Sequence, residues 1–352
     1  MTVPASDVFR EPKRFIPLPT EGGGGSLVGN SYLSKWAQCP RAWFNSFYRP
    51  FEGSQGVRPR YVSEHLLKGG TFHEGIAELY LSGCRDGEDT GEWNLDQAIG
   101  VLESHHKRNE SQYEESTLYE TDLNLTRSML TAYYSEFGLG GPSQDYPTIR
   151  TLHDGEGLPL VERDFSVDLG YGGYVYTCRA DLLILHHGYP KVMEHKTSAP
   201  GLWAQKRVAS IQFDSQFTGE IFVLKALFPH EILEGALVNV VIKGGKTKIA
   251  LRESTTRSDE DLRHFRLSTI HILQQIDEAV HKFNQALIEG NDIEWAMSLY
   301  FPDHGERTQA CDNYGGCEFR SLCRSKNRID RVLPTFRPRT RAEVVESREN
   351  PF

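Results

Sequence analysis

The stretch from Cys178 to Lys196, CRADLLILHHGYPKVMEHK, reads as one β-hairpin, and no other part of the chain constrains the fold as tightly. Asp181 lies in a mostly apolar run that ends at His186, and Glu194 and Lys196 follow a break containing Gly188 and Pro190. With the turn centred between His187 and Gly188, Asp181 falls opposite Glu194, where facing Cβ atoms stand about 4.5–5.5 Å apart. Glu194 and Lys196 are two residues apart, so strand alternation sends both side chains to one face.

Two carboxylates on neighbouring strands suit a hard cation such as Mg2+ or Mn2+, which prefers oxygen ligands and keeps several waters. A lysine beside them suits orienting or deprotonating one of those waters, or neutralising charge that builds up during phosphodiester hydrolysis. The same pattern also fits a half-buried hairpin with two exposed acids and a solvated lysine.

Around the hairpin, strands are expected at 160–169, 174–186, 191–197 and 235–243, with a helix over 210–228 between the last two. Helices are expected at 31–48 and 64–82, with more helix through 94–138. Another, at 259–290, carries the apolar stripe Leu262, Phe265, Leu273, Ile276, Val280 and Phe283. Residues 1–30 read as a flexible leader, 31–328 as the folded domain and 329–352 as a basic tail.

His73 follows Gly69 and Gly70 by one helical turn within 64–82. Paired glycines cost a helix roughly 1 kcal/mol each, so a close approach by backbone or phosphate is one expectation and an interrupted helix the other.

Three of the six cysteines are evenly spaced as Cys311, Cys317 and Cys323, and Cys39 is the candidate for a fourth ligand of tetrahedral zinc or a cubane cluster. Cys84 and Cys178 have no ligand-like spacing. The N-terminal MTVPASDVFREPKRF has no apolar signal region, which leads to the expectation of a cytoplasmic protein with reduced thiols. The longest apolar run, near Ala236–Ile242, falls well short of the roughly 20 residues that span a bilayer, so no membrane association is expected.

A net charge of −9 argues against a protein that coats nucleic acid generally. The cations are instead grouped: Lys243, Lys246 and Lys248 flank a Gly-Gly turn, and eight Lys or Arg residues fall between Arg320 and Arg341. Either group can track a DNA backbone or form a solvated surface.

YLSKWAQCPRAWF (32–44), LLKGGTFHE (66–74), VERDFSVDL (161–169), CRADLLIL (178–185), MEHKTS (193–198) and DSQFTGEIF (214–222) occur in an order that resembles the RecB-like PD-(D/E)XK nucleases. The similarity covers about 31–328 and is nearest to the iron–sulfur branch, with its AddB-type, CRISPR-adaptation and phage members. It implies an α/β, restriction-endonuclease-like core whose mixed sheet is flanked by helices, with a 4Fe–4S cluster, or Zn2+ in its place, on Cys39, Cys311, Cys317 and Cys323. It further implies His73, Asp181 and Glu194 as ligands of Mg2+ or Mn2+, Lys196 as the catalytic lysine, Glu162 in support and Gln216 as the glutamine of the downstream helix.

The sequence departs from that pattern at several places. Cys178 stands where a glycine is usual, His195 separates the motif Glu from the Lys, and five residues rather than two separate Cys311 from Cys317. Glu220 replaces the tyrosine four residues after Gln216, so Gln212, one turn earlier, becomes a candidate to share its role in positioning DNA. The implied function is a metal-dependent DNA nuclease acting on ends or single strands. The alternative is a noncatalytic DNA-binding or assembly subunit on the same fold.

Overall fold

A computed structural model of the chain describes residues 28–51, 54–61, 64–113, 115–228, 235–243, 250–304, 311–312, 316–325 and 329–338. Its longer helices are α1 (Asn30–Gln38), α2 (Pro40–Phe47), α3 (Glu64–Ser82), α4 (Leu95–Arg108), α5 (Ser116–Phe137), α6 (Leu202–Ser210), α7 (Ser215–Leu227), α8 (Asp259–Ile288) and α9 (Ile293–Tyr300). The main sheet has six strands: β1 (Ile149–Thr151), β2 (Val161–Asp168), β3 (Val175–His186), β4 (Tyr189–Ser198), β5 (Ala236–Ile242) and β6 (Ala250–Thr255). The chain divides into two units, one of Met1–Arg60, Ser166–Cys178 and Asp259–Phe352, the other of Tyr61–Phe165 and Arg179–Ser258.

In the second unit the strand order is β6-β5-β4-β3-β1, with β2 also paired to β3. The sheet is mixed, because β4 and β5 run parallel while β3–β4 and β5–β6 are antiparallel. The hairpin register agrees with the sequence reading: Leu182 pairs with Met193 and His186 with Tyr189. His187 and Gly188 form the two-residue turn with φ of 51° and 86°, the left-handed pair whose twist suits antiparallel strands. Helices α3, α4 and α5 pack Phe72, Ile76, Leu102, Leu130 and Tyr133 into one core with Leu182, Ile184, Met193 and Leu237 of the sheet.

Several local expectations change. Nothing lies within 4 Å of a Cβ placed on Gly69, one on Gly70 would make only ordinary contact with His105 (3.6 Å), and α3 continues through both glycines, so neither approach by another backbone among the described residues nor interruption explains them. The tight approach is at Gly75, where a Cβ would stand 2.8 Å from Leu130. The helix read over 210–228 is two elements, because Asp214 caps α7 by accepting from the Gln216 N–H, and 211–213 forms a separate 3-10 turn. Strands β1 and β6 are additions to the expected set.

The other unit gathers aromatic side chains of α1, α2, α8 and α9. Phe44 packs 4.6 Å from Phe301 and 5.1 Å from Phe283, between ring centroids. The helix expected over 31–48 breaks at Cys39, which is extended because the residue before a proline is excluded from helical backbone. On α8 the stripe buries Leu262, Leu273, Ile276 and Phe283, while Phe265 and Val280 are half-buried. A small core of Cys39, Val57, Phe319, Leu322 and Phe336 adjoins an antiparallel pair between Val57–Pro59 and Phe336–Pro338, which draws part of the expected tail into the fold.

Candidate metal centre

Where the β3–β4 ladder passes Leu182 and Met193, the next two acids take over as acceptors. The Asp181 N–H donates to Glu194 Oε1 (3.1 Å), and the His195 N–H donates to Asp181 Oδ2 (2.7 Å). The expected pairing of Asp181 with Glu194 is therefore present, and each carboxylate is held by the opposing strand.

On the β4 face that meets α7, Lys196 Nζ donates to Glu194 Oε2 (2.6 Å) and stands 5.8 Å from the Phe217 ring centroid. Gln216 Nε2 donates both to Glu194 Oε2 (3.2 Å) and to Glu220 Oε1 (2.8 Å). Glu220 is buried, and its Oε2 has no partner among the described residues. The residue that departs from the family pattern thus joins the motif residues in one hydrogen-bonded chain.

His73 reaches the other side of Asp181 from α3, with Nδ1 3.3 Å from Asp181 Oδ1 and 3.8 Å from Glu162 Oε1. One ligand atom from each of His73, Glu162 and Asp181 falls within 4.8 Å of the others, a spacing that fits one metal ion. Glu162 adopts φ of 48°, a left-handed backbone rare for a non-glycine residue and costing about 1–3 kcal/mol. Such strain is common where a side chain must be aimed, and here the side chain is aimed at His73. Glu194, expected as a ligand, has both oxygens engaged by Asp181, Lys196 and Gln216.

The electrostatics follow from burial against pairing. Burial alone would lower the His73 pKa, but the Asp181 carboxylate and then Glu162 push it up to about 10, so the imidazole is a cation between two acids. Burial would raise Asp181, yet His73, the His195 hydrogen bond and Lys196 hold it well below the usual carboxylate range. Burial and the Asp181 charge push Glu194 up to about 7 against the pull of Lys196. Burial and Glu194 raise Glu220 well above its ordinary value. Lys196 is desolvated, but Glu194, Asp181 and Glu220 outweigh that and keep it an ammonium. An imidazolium bridging two carboxylates occupies the place of a cation, so the donor set fits Mg2+ or Mn2+.

Behind the sheet, His195, Asn239 and Arg252 form a row across β4, β5 and β6. Asn239 Nδ2 is 3.2 Å from His195 Nε2, and Arg252 Nε donates to Asn239 Oδ1 (2.6 Å). Tyr133 OH lies 3.1 Å from His195 Nε2, and Arg252 forms a two-pronged pair with buried Asp145. Sequence reading did not find this network, whose members come from five separate segments.

Of the proposed DNA-contacting residues, Gln216 is in the site, whereas Gln212 is exposed on the 3-10 turn and does not share the α7 face. Lys243 is half-buried, its N–H donates to Ser198 O (2.9 Å), and burial and Lys68 lower its pKa. Lys246 and Lys248 lie outside the described residues. So do 326–328 and 339–341 of the basic stretch.

None of the six cysteines is joined in a disulfide. Cys311, Cys317 and Cys323 each feel the charge of Cys39, so the four are electrostatic neighbours. Burial and Asp303 push Cys323 up to about 12, and Cys39 Sγ lies 3.9 Å from Asp303 Oδ1. Asp303 is a carboxylate in this set that the cysteine spacing could not reveal. The four sulfurs do not converge within 4.8 Å of one another as the His73 group does.

Among the described residues no helix is long and apolar enough to cross a membrane. No protein-family model and no curated protein matches the chain. Among solved structures, a chain described as "Crystal structure of SSO0001" is 15% identical, covers 59% of this chain and 84% of its own length, and has a TM-score of 0.26, too low to carry an inference.

Proposed function

We propose that the protein is a Mg2+- or Mn2+-dependent nuclease that hydrolyses phosphodiester bonds in DNA, on a restriction-endonuclease-like core. The observation that carries this reading is the adjacency of two features: a His-Glu-Asp group of metal-site dimensions and, through Asp181, a Glu194–Lys196 pair. His73, Glu162 and Asp181 would hold the cation, with Glu194 alongside. The bound cation supplies Lewis acidity and an activated water. Lys196, kept protonated by its acids, acts as a fixed positive donor toward the attacking oxygen or the developing phosphorane charge rather than as a base. Gln216 holds Glu194 in place from α7. The preference for DNA ends or single strands follows from the family resemblance.

A 4Fe–4S cluster or Zn2+ on Cys39, Cys311, Cys317 and Cys323 completes the proposal. Four cysteines outside any disulfide, three of them within electrostatic reach of Cys39, offer the soft donors that either group takes.

Labelled single- and double-stranded DNA with defined 5′ and 3′ ends, incubated with Mg2+ or Mn2+, tests the reading. Wild type is expected to shorten DNA, and Asp181→Ala and Lys196→Ala to lose about 100-fold or more in rate while still unfolding cooperatively, at a lower temperature because each leaves a buried charge without its partner. DNA that is retarded but never shortened would favour the noncatalytic subunit.

A further inference from the structure

The segment between β4 and α7 presents large aromatic side chains to solvent. Trp203 on α6 is 66% exposed and Phe213, which ends the 3-10 turn, is 88% exposed. Neighbouring positions anchor the segment: Ala204 and Ile211 are buried, at 2% and 0%. Arg257 braces the turn by donating to Ile211 O (3.2 Å) and Asp214 O (3.4 Å), and to Thr218 Oγ1 (2.7 Å). Phe213 is therefore projected by a fixed turn.

The charge along this segment is net positive: residues 199–214 contain Lys206 and Arg207 against one acid, Asp214, in a chain of net charge −9. Lys206 Nζ lies 5.4 Å from the Trp203 ring centroid, on one face of the ring. Arg207 is 3.7 Å from Asp214 Oδ2 and partly neutralised, which leaves Lys206 as the principal cation. Exposed aromatic faces interleaved with cations are what an unpaired nucleotide strand requires, because every base has a face to stack and every linkage a charge to neutralise. A protein partner would be served by the rings alone, and the net positive charge of the segment favours a polyanion.

We propose that Trp203 and Phe213 stack the unpaired bases of single-stranded DNA, with Lys206 contacting the phosphates. This rests on the nuclease reading and names the substrate form that its site receives. The surface belongs to the segment that leaves β4 two residues after Lys196 and returns at α7 with Gln216, so it is continuous in sequence with the reacting side chains.

Binding of fluorescent (dT)20 and of a blunt duplex in excess chelator provides the test, since no cleavage is then needed. Trp203→Ala and Phe213→Ala are each expected to weaken (dT)20 binding by about 5- to 150-fold, the weight of one base–aromatic stack, and to leave duplex binding within about twofold. Trp203→Phe should retain most of the affinity but lose the tryptophan quenching caused by (dT)20. Lys206→Ala should reduce the salt slope by about one. Unchanged (dT)20 binding in both alanine variants overturns the proposal, even where wild type cleaves DNA. Equal loss on duplex overturns it too, as does a wild-type dimer that Trp203→Ala converts to monomer. A chain that loses (dT)20 binding as predicted yet never cleaves would refute the nuclease reading and leave the stacking surface standing.

Discussion

His73 carries a proton that a metal ion must displace. With its pKa at about 10, the imidazole is charged at neutral pH, and ligation requires the neutral ring. Titration of the chelator-stripped protein with Mn2+ at pH 7.5, in buffers of different ionisation enthalpy, is expected to show release of about one proton per ion, falling to near zero in His73→Gln. The same shift sets a stability window. A raised histidine pKa contributes stability that is complete below about 6.5 and is lost as pH rises toward 10. Denaturation of metal-free protein should therefore show wild type losing stability across that range more steeply than His73→Gln. Asp181, Glu194 and Lys196 were legible in the sequence because the hairpin turn sets Asp181 opposite Glu194 and strand alternation puts Lys196 on the same face as Glu194. Glu162 was harder to place, since its aim depends on a left-handed φ of 48° that no residue pattern encodes. Glu220 stood out as a departure, but its burial against Gln216 becomes visible only in three dimensions.

At the scale of elements, the sheet carries the candidate metal centre and a braced face on alternate residues of the same strand. Glu194 and Lys196 point one way, while His195 between them joins the row through Asn239 to Arg252. Asp145 is 2% exposed and is the carboxylate that answers Arg252. Removing it leaves a largely buried guanidinium unpaired, so Asp145→Ala is expected to destabilise the protein by about 3–5 kcal/mol in urea denaturation. Asp145→Ala combined with Arg252→Met should recover a large part of that loss. Strands β2 to β5 were readable because they are apolar or alternate cleanly. Strand β6, ALREST, escaped because Arg252 turns inward to a polar network, and a charged residue at an inward position looks like surface. The split of the 210–228 helix had a signal, Asp214 just before a helical run, and it was outweighed by the apolar rhythm on both sides.

Across the whole molecule, each unit is assembled from separated stretches, and no Gly, Pro or Ser-rich linker marks the passages at 60–61, 165–166, 178–179 and 258–259. That is why the division was not legible in composition. The four cysteines proposed to hold a cluster belong to one unit and the His73 group to the other. Protein purified without oxygen is expected to contain iron with a brown absorbance, or zinc without colour, and Cys323→Ser to lose that metal and melt at lower temperature. Elemental analysis that finds neither metal in wild type would remove the cluster from the proposal. The arrangement of the units also imposes an order in time. Every residue of the unit containing His73, Asp181 and Lys196 is polymerised before Asp259, while Cys311, Cys317 and Cys323 come later. At about 5–20 residues per second, the stretch 259–352 takes roughly 5–20 s to make. During that interval a nascent chain already holds every residue of its candidate metal centre, while the three cysteines proposed to join Cys39 are still to follow.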